Sequence, residues 1–351
     1  MILTHIVGTR PNFVKLAPLI RELRKDHINH IIHTGQHYHD ALSESFFREL
    51  EIPEPDVNLG VGSHPIATQV GRSIERIGEV LGEPDMVIVY GDTASTLAGA
   101  LAARLNDLPV AHVEAGVRSY NRSMPEEIDR TVVDHISDLL FCPNPNAVNI
   151  LRGEGVTDGV YCTGDVNVDA ANLVIGKTCR SDLMELFSTT PKKYLLLTIH
   201  RPVNANSTES LKTILSSVND FGMPVIFPVH PRTRKNLPLD YEGKYNNISF
   251  IPPAGFIDTI HLVKNAYKVV TDSGGLVKEA YILNTPCITI REETEWPETR
   301  KLGWNILVHV ERQSILDALY AKCPTQKPKH NPFPEGACRN IVKIIRGWGQ
   351  R

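Results

Sequence analysis

Short apolar runs alternate with stretches of helical period along the chain, and no other feature restricts the fold as much. Ile2–Val7, Ile28–Thr34, Asp85–Tyr90, Leu108–Val113, Leu139–Cys142 and Gly159–Thr163 read as buried parallel strands. Between them lie a helix entered through Pro11, with its stripe at Leu16, Leu19, Ile20 and Leu23, an amphipathic helix from about Pro65 to Leu81, a helix Thr93–Leu105 and one from Asn146. This is the rhythm of βαβ units, which calls for a parallel sheet with helices on both faces. It resumes beyond a boundary near Gly164–Asp169, with strands Tyr194–Ile199, Pro224–Val229, Ile248–Ile251 and Lys268–Thr271 and helices Thr208–Asp220 and Phe256–Asn265. At 351 residues the chain exceeds one ordinary core. The expectation is α/β with two Rossmann-like doubly wound domains, 1–166 and 167–336, followed by a final helix Ala337–Trp348. The interdomain cleft is then the default ligand site.

Bulk properties exclude several classes. The net charge is −3, and no Lys/Arg run is dense enough to track a phosphate backbone, so no nucleic acid is expected. The six cysteines show no Cys-x-x-Cys or metal-ligand spacing, and their scatter through apolar segments suits reduced, buried thiols of a cytosolic protein. No apolar run nears the roughly 18 residues that span a bilayer, and Ile2 enters a strand directly. The expectation is a cytoplasmic protein with no membrane attachment.

The chemistry concentrates in His112–Arg130. Glu114 ends a strand, at the edge where open α/β sheets bind ligands. A glycine turn, Arg118 and Arg122 follow, then a helix start with Glu126, Glu127 and Arg130. Carboxylates and arginines in one loop suit an anionic substrate whose protons must move. The plain structural readings are a Ser123–Glu126 capping box and a Glu126–Arg130 pair at i, i+4. Upstream, Gly8-Thr9-Arg10-Pro11 turns into a helix, with Arg10 and Lys15 beside an anion-attracting N-terminus. Lys15 reads equally as a residue bordering the core with its amine in solvent. Asp92 leaves the strand Asp85–Tyr90, either as N-cap of Thr93–Leu105 or, with Glu114, as the second carboxylate at one sheet edge. The strand Ile28–Thr34 has a polar exit, Gly35-Gln36-His37-Tyr38-His39. In the second half, exits carry His200-Arg201, His230-Pro231-Arg232 and Asp272-Ser273-Gly274-Gly275, the last opening a helix with Glu279. Backbone amides there suit a phosphate, and Glu279 would lie within reach of a ribose diol. The plain alternative is a glycine turn and a surface glutamate.

In this order, Gly8-Thr9-Arg10-Pro11 with Lys15, Gly91-Asp92-Thr93, His112-Val-Glu-Ala-Gly-Val-Arg118, Pro125-Glu-Glu with Arg130, His200-Arg201, Pro228-Val-His230 and Asp272-Ser-Gly-Gly with Glu279 resemble the UDP-N-acetylglucosamine 2-epimerase family. The resemblance covers nearly the whole chain, including the Asn331–Gly336 loop. It implies a GT-B-like architecture, two Rossmann-like domains facing a cleft that holds a UDP-sugar, with a last helix (about 337–351) crossing back to the first. It implies a homodimer, for which Pro65–Leu81 is a candidate packing helix, and neither metal nor redox cofactor. The implied reaction interconverts UDP-N-acetylglucosamine and UDP-N-acetylmannosamine through loss of UDP, reprotonation of C2 on the other face and return of UDP. Position by position, Asp92, Glu114 and Glu126 become acid/base candidates, and His200 falls near the diphosphate. Arg10, Ser273, Gly274, Gly275 and Glu279 become UDP ligands, Lys15 and Arg130 support the sugar and the carboxylates, and Phe256 replaces the aromatic that many members place against uracil. The chain departs from the family at Pro202, where a glutamate is common, and at His39, where many bacterial members have glutamine; both regions are linked to activation by a second substrate molecule. Thr294-Glu295-Trp296-Pro297 resembles archaeal and sugar-acid branches, so UDP-2,3-diacetamido-glucuronate stays open as substrate. A hydrolysing epimerase and a GT-B glycosyltransferase remain the other readings.

Overall fold

The strand pairings between described residues are all parallel in the computed structural model, which describes residues 1–35, 46–177, 189–237, 241–328 and 331–350. They form two doubly wound sheets, each in its own compact unit, in keeping with the GT-B-like class. Unit 1 comprises Met1–Leu173 and Pro332–Arg351, and unit 2 comprises Val174–Asn331. In unit 1 the strands are β1 (Ile2–Val7), β2 (Ile28–His33), β3 (Val57–Asn58), β4 (Met86–Tyr90), β5 (Val110–Val113), β6 (Leu139–Cys142) and β7 (Val160–Cys162), in the order β3-β2-β1-β4-β5-β6-β7. In unit 2 they are β8 (Leu195–Thr198), β9 (Val225–Pro228), β10 (Ile248–Ile251), β11 (Lys268–Thr271), β12 (Cys287–Ile290) and β13 (Asn305–Val308), in the order β10-β9-β8-β11-β12-β13. The order reverses at β1/β4 and at β8/β11. At such a switch point adjacent crossovers leave for opposite faces, and a crevice opens beyond the carboxyl ends of the strands.

Apolar register builds each core. In unit 1, Ile6 lies beside Val89 and Val87 beside Val110. These side chains pack with Ala98, Ala102 and Val133 from the helices Ala94–Leu105 and Pro125–Ile136. In unit 2, Leu195, Leu197, Val225, Phe227, Val270 and Ile288 meet Leu211, Ile214, Leu215 and Val218 of the helix Thr208–Asp220.

The division falls later in the chain than the expected 166/167, and unit 1 resumes earlier than 337. Asp169, on the helix Val166–Ile175, accepts the amides of Gly336 and Cys338, each at 2.8 Å. That carboxylate caps the helix Ala337–Trp348, which also packs along the helix Arg10–Leu23. Residues 166–173 and 332–336 are thereby held in unit 1. Periodicity did not resolve the segment from Thr285 to Pro328; it contributes β12, β13 and the helices Pro297–Lys301 and Arg312–Tyr320. Cys142, Cys287 and Cys338 are buried, but Cys162 is exposed and Cys323 intermediate, which corrects the expectation of uniformly buried thiols. Cys179 lies outside the described residues, as do Gln36, His37, Tyr38 and His39. No helix among the described residues is long and apolar enough to cross a membrane.

One buried histidine ties the sheet's interior to pH. His5 on β1 has Nδ1 2.6 Å from the Tyr90 hydroxyl and Nε2 2.9 Å from Asn29 Oδ1. The neutral ring satisfies both partners by accepting from the tyrosine and donating to the amide oxygen. Burial dominates and lowers its pKa from 6.5 to about 4. The folded state therefore refuses a proton that the unfolded chain accepts below pH 6.5. Stability from this group is complete above about 6.5 and falls as the pH drops towards 4, by roughly 3 kcal/mol in all. Urea titrations of the wild type and His5→Gln between pH 7 and 4 should show that part of the slope missing from the variant.

Candidate active site

The exits of β1 and β4 in unit 1 are fastened together by Asn12. Its fully buried Oδ1 accepts from the amides of Gly8 and Thr9 (3.1 Å each) and from the hydroxyls of Thr9 (2.9 Å) and Thr93 (3.3 Å). Its Nδ2 donates to the Tyr90 carbonyl at 2.8 Å. A side chain on Gly8 would be impossible here, because its Cβ would stand 2.0 Å from Ser95 Oγ and 2.1 Å from Thr34 Oγ1. The turn carries Arg10 out to the surface, its guanidinium 4.8 Å from the Phe46 ring centroid.

Asp92 and Glu114 leave neighbouring strands, as expected. Each carboxylate has a buried cation. Lys15 Nζ is 3.1 Å from Glu114 Oε1, and both side chains are about nine-tenths buried, so the lysine turns inward rather than to solvent. Asn167 donates to the other Glu114 oxygen at 2.9 Å. The backbone of Glu114 has φ +74°, a left-handed conformation that costs a non-glycine residue on the order of 1 kcal/mol. Asp92 pairs with Arg130, whose other terminal nitrogen lies 3.2 Å from Glu127. The N-cap of Ala94–Leu105 is Thr93, not Asp92, because the Thr93 hydroxyl receives the Thr96 amide.

The Ser123–Glu126 capping box does not form, and Arg130 turns away from Glu126. The helix begins at Pro125 with Met124 as N-cap and no side-chain cap bond, while Ser123 Oγ donates to Asn121 at 2.7 Å. Glu127 turns inward instead and accepts from the amides of Ser119 and Tyr120 (2.8 Å each) and from the Ser119 hydroxyl (2.9 Å). Glu126 is left exposed in the first turn.

Behind the Gly91–Asp92 turn is a buried relay that the sequence pattern does not announce. His112 Nε2 donates to the Gly91 carbonyl at 2.7 Å, and Nδ1 meets Asp134 at 2.7 Å. Asp134 also accepts from Arg118 (2.6 Å) and the Gly116 amide (3.1 Å), while Arg118 forks onto Glu154 at 2.9 and 2.7 Å. Burial would raise the Asp134 carboxyl, but His112 and Arg118 together hold it below the usual range.

Unit 2 places Asp272, fully buried after β11, as the fastener of its own switch point. It accepts from the amides of His200 (3.0 Å) and Arg201 (3.0 Å) and from Asn204 Nδ2 (3.1 Å), and faces His200 Nδ1 at 3.3 Å. The ring of His230, from the exit of β9, lies 5.7 Å from that of His200. Ser273 caps the helix Gly274–Ile282 by accepting the Leu276 amide, so the Gly274 and Gly275 amides stand at a helix start, and Glu279 is half-buried further along. Glu295 closes the other side of the turn, forked onto Arg291 at 2.7 and 2.9 Å. A Cβ on Gly274 would come within 3.0 Å of Glu295 Oε2. Trp296 Nε1 donates to the Gly274 carbonyl at 3.0 Å, with Lys278 Nζ 4.0 Å above the indole. Phe256 is 1% exposed, so its ring fills the interior and offers no face to a base; Thr259, one turn on, donates to the Gly255 carbonyl at 2.6 Å. A cavity of about 540 Å³ in unit 2, lined by Phe221, Met223, Tyr267 and Tyr320, sits at the amino ends of the strands, away from these exits.

Lys15→Met strands the buried Glu114 charge and should cost about 3 kcal/mol in denaturant unfolding. Adding Glu114→Gln removes that orphan and should recover at least half of the loss; equal, additive losses would mean the two groups do not interact.

A profile of the UDP-N-acetylglucosamine 2-epimerase family matches residues 21–346. The chain is 43% identical over 357 residues to a UDP-N-acetylglucosamine 2-epimerase homolog of Methanococcus maripaludis, covering 99% of each. It is 38% identical over 323 residues, 89% of this chain and 90% of the other, to the UDP-2,3-diacetamido-2,3-dideoxy-D-glucuronate 2-epimerase of Pseudomonas aeruginosa. The crystal structure of Methanocaldococcus jannaschii UDP-GlcNAc 2-epimerase in complex with UDP-GlcNAc and UDP superposes with a TM-score of 0.90 at 39% identity, covering 99% of this chain and 100% of that one. A match over most of the chain makes the protein a member of the UDP-N-acetylglucosamine 2-epimerase family.

Proposed function

We propose that the chain is a non-hydrolysing epimerase that interconverts UDP-N-acetylglucosamine and UDP-N-acetylmannosamine. The observation that carries the reading is the pair Asp92 and Glu114, ending adjacent strands with a buried cation on each. Family membership and the UDP-GlcNAc complex of the Methanocaldococcus relative support it. The hydrogen on C2 of an N-acetylhexosamine is not acidic, so its removal needs a positioned carboxylate. Inversion takes the proton from one face and returns one to the other, which calls for two carboxyl groups in different surroundings. Asp92, Glu114 and Glu126 are the acid/base groups of this reading, held or polarised by Lys15 and Arg130. Arg10 and the backbone at Ser273, Gly274 and Gly275 take the diphosphate, and Glu279 takes the ribose. As the bond from C1 to the diphosphate breaks, negative charge grows on UDP, where a helix start and the His200 imidazole stabilise it. The C2–H and C1–O bonds both break and re-form, so nothing is oxidised overall. The same reading has a cytoplasmic homodimer that supplies an N-acetylmannosamine donor for polysaccharide synthesis.

Proton NMR with UDP-N-acetylglucosamine in deuterated water tests it. Deuterium at C2 with the manno sugar rising to equilibrium is the expected result. Free UDP with N-acetylmannosamine would mean hydrolysis, and transfer to an acceptor without C2 exchange a glycosyltransferase. Exchange seen only with UDP-2,3-diacetamido-glucuronate would change the substrate and keep the mechanism. Asp92→Asn, Glu114→Gln and Glu126→Gln should each slow turnover by at least about 100-fold. Glu126→Ala should leave unfolding within about 0.5 kcal/mol of wild type, since no cap bond depends on it.

A further inference from the structure

The partners of His112 ask for more hydrogen than a neutral imidazole carries. The residue lies on β5 beside Val89 of β4 and is fully buried, as is Asp134. Nε2 stands 2.7 Å from the Gly91 carbonyl oxygen, which can only accept. Nδ1 stands 2.7 Å from Asp134 Oδ1. The other oxygen of Asp134 accepts from Arg118 at 2.6 Å and from the Gly116 amide at 3.1 Å, so this carboxylate is an acceptor too. Two acceptors need two donors: both ring nitrogens bear hydrogen, and the ring is an imidazolium. Its charge balances the set, with His112 and Arg118 facing Asp134 and Glu154. Cys142, which β6 brings near Asp134, adds no charge, because burial pushes its thiol far up. The turn that His112 meets is confined elsewhere as well. Gly91 has φ +67°, its amide is bonded to the Val113 carbonyl at 2.9 Å, and a Cβ there would stand 3.1 Å from Lys15 Nζ. Asp92 follows directly and pairs with Arg130.

We propose that His112, doubly protonated against Asp134, is a positioning residue for the reaction: its hydrogen bond to the Gly91 carbonyl sets the direction in which Asp92 leaves β4. The peptide between Gly91 and Asp92 is planar, so fixing its carbonyl fixes the bond that leads into the Asp92 α-carbon. Turning that peptide would leave a buried, charged donor unsatisfied. The α-carbon of Gly91 is meanwhile pressed against the Lys15–Glu114 pair. The turn is therefore held at its amide, its α-carbon and its carbonyl, and only the last contact comes from a side chain that can be exchanged without touching either carboxylate. The consequence for turnover rests on the epimerase reading, in which Asp92 is one of the groups that move the C2 proton. Misplacing such a group by about an ångström costs on the order of 100-fold in rate. The loss falls on kcat, because UDP is held by other residues.

Two substitutions in the full chain separate positioning from support. His112→Gln can put an amide N–H where Nε2 stood and still meet Gly91, whereas His112→Asn puts its N–H where Nδ1 stood and meets only Asp134. Both remove the ring and its charge, so both should lose similar stability in urea. With UDP-N-acetylglucosamine, kcat should fall about 100-fold in His112→Asn and stay within about 10-fold of wild type in His112→Gln, with KM changed by less than about threefold in either. Equal losses of kcat in the two variants would overturn the proposal. Nitrogen-15 NMR of the chain labelled in its histidine rings reads the protonation directly. The His112 pair, identified by its disappearance in His112→Gln, should show one hydrogen on each nitrogen at neutral pH; a nitrogen without hydrogen also overturns the proposal. If the wild type turns over no UDP-sugar, the epimerase reading fails instead. Crystal structures of the variants then decide the positioning alone: Asp92 should leave Arg130 in His112→Asn and keep it in His112→Gln, and an Asp92 unmoved in both refutes it.

Discussion

The side-chain amide of Asn12 reaches three segments that are distant in sequence: the turn after β1, the end of β4 at Tyr90 and the start of the next helix at Thr93. Three charged residues of unit 1 hang from those segments. Arg10 follows the first, Asp92 lies between the second and third, and Lys15 sits one turn along the helix that Asn12 helps to open. Buried amides and carbonyls at a switch point have left the sheet ladder and have not yet entered a helix, so each would cost on the order of 1–3 kcal/mol unsatisfied. One carboxamide answers several of them at once and, in doing so, fixes the spacing of the two strand exits. Asp272 does the same in unit 2 with a carboxylate, collecting the amides that follow β8.

The two fasteners differ in charge, and the difference suits their surroundings. Asn12 is neutral beside a site dense in carboxylates, where another negative charge would raise the proton affinity of Asp92 and Glu114. Asp272 is a carboxylate among N–H groups, those of the His200 and Arg201 backbone and the Asn204 side chain, with His200 Nδ1 3.3 Å away. Glu295 acts similarly a layer further out, facing Arg291 directly and Arg201 at 3.6 Å.

Much of this was legible in the sequence because period and strand exits are local. β1, β6, β10 and β11 and the helices Thr208–Asp220 and Phe256–Asn265 have the boundaries that their apolar pattern indicates. What failed was decided by phase or by distant partners. Ser123-x-x-Glu126 has the spacing of a capping box, but the helix starts at Pro125, and a shift of one residue turns a helix by about 100°. That rotation sends Glu127 inward and Glu126 outward. Lys15 has a stem long enough for either environment, and only Glu114, which local pattern does not bring near it, draws it in. Phe256 marks a helix start correctly, yet its ring is claimed by the interior. Asn12 was within reach of the sequence: it stands three residues after Thr9, where a capping partner belongs.

The bond from Asp169 to the Gly336 amide closes unit 1 between residues 167 positions apart, and its bond to Cys338 reaches further still. During synthesis, Asp169 leaves the ribosome long before its partners exist. At roughly 5–20 residues per second the wait is on the order of ten seconds or more. All of unit 2 is made in that interval and can reach its native sheet first. The sheet that carries Asp92 and Glu114 is made early but sealed late, with the flank of the helix Arg10–Leu23 bare until the helix Ala337–Trp348 arrives. Order of emergence is thus the reverse of order of completion, and the half that carries Asp92 and Glu114 stays open until the chain is almost finished.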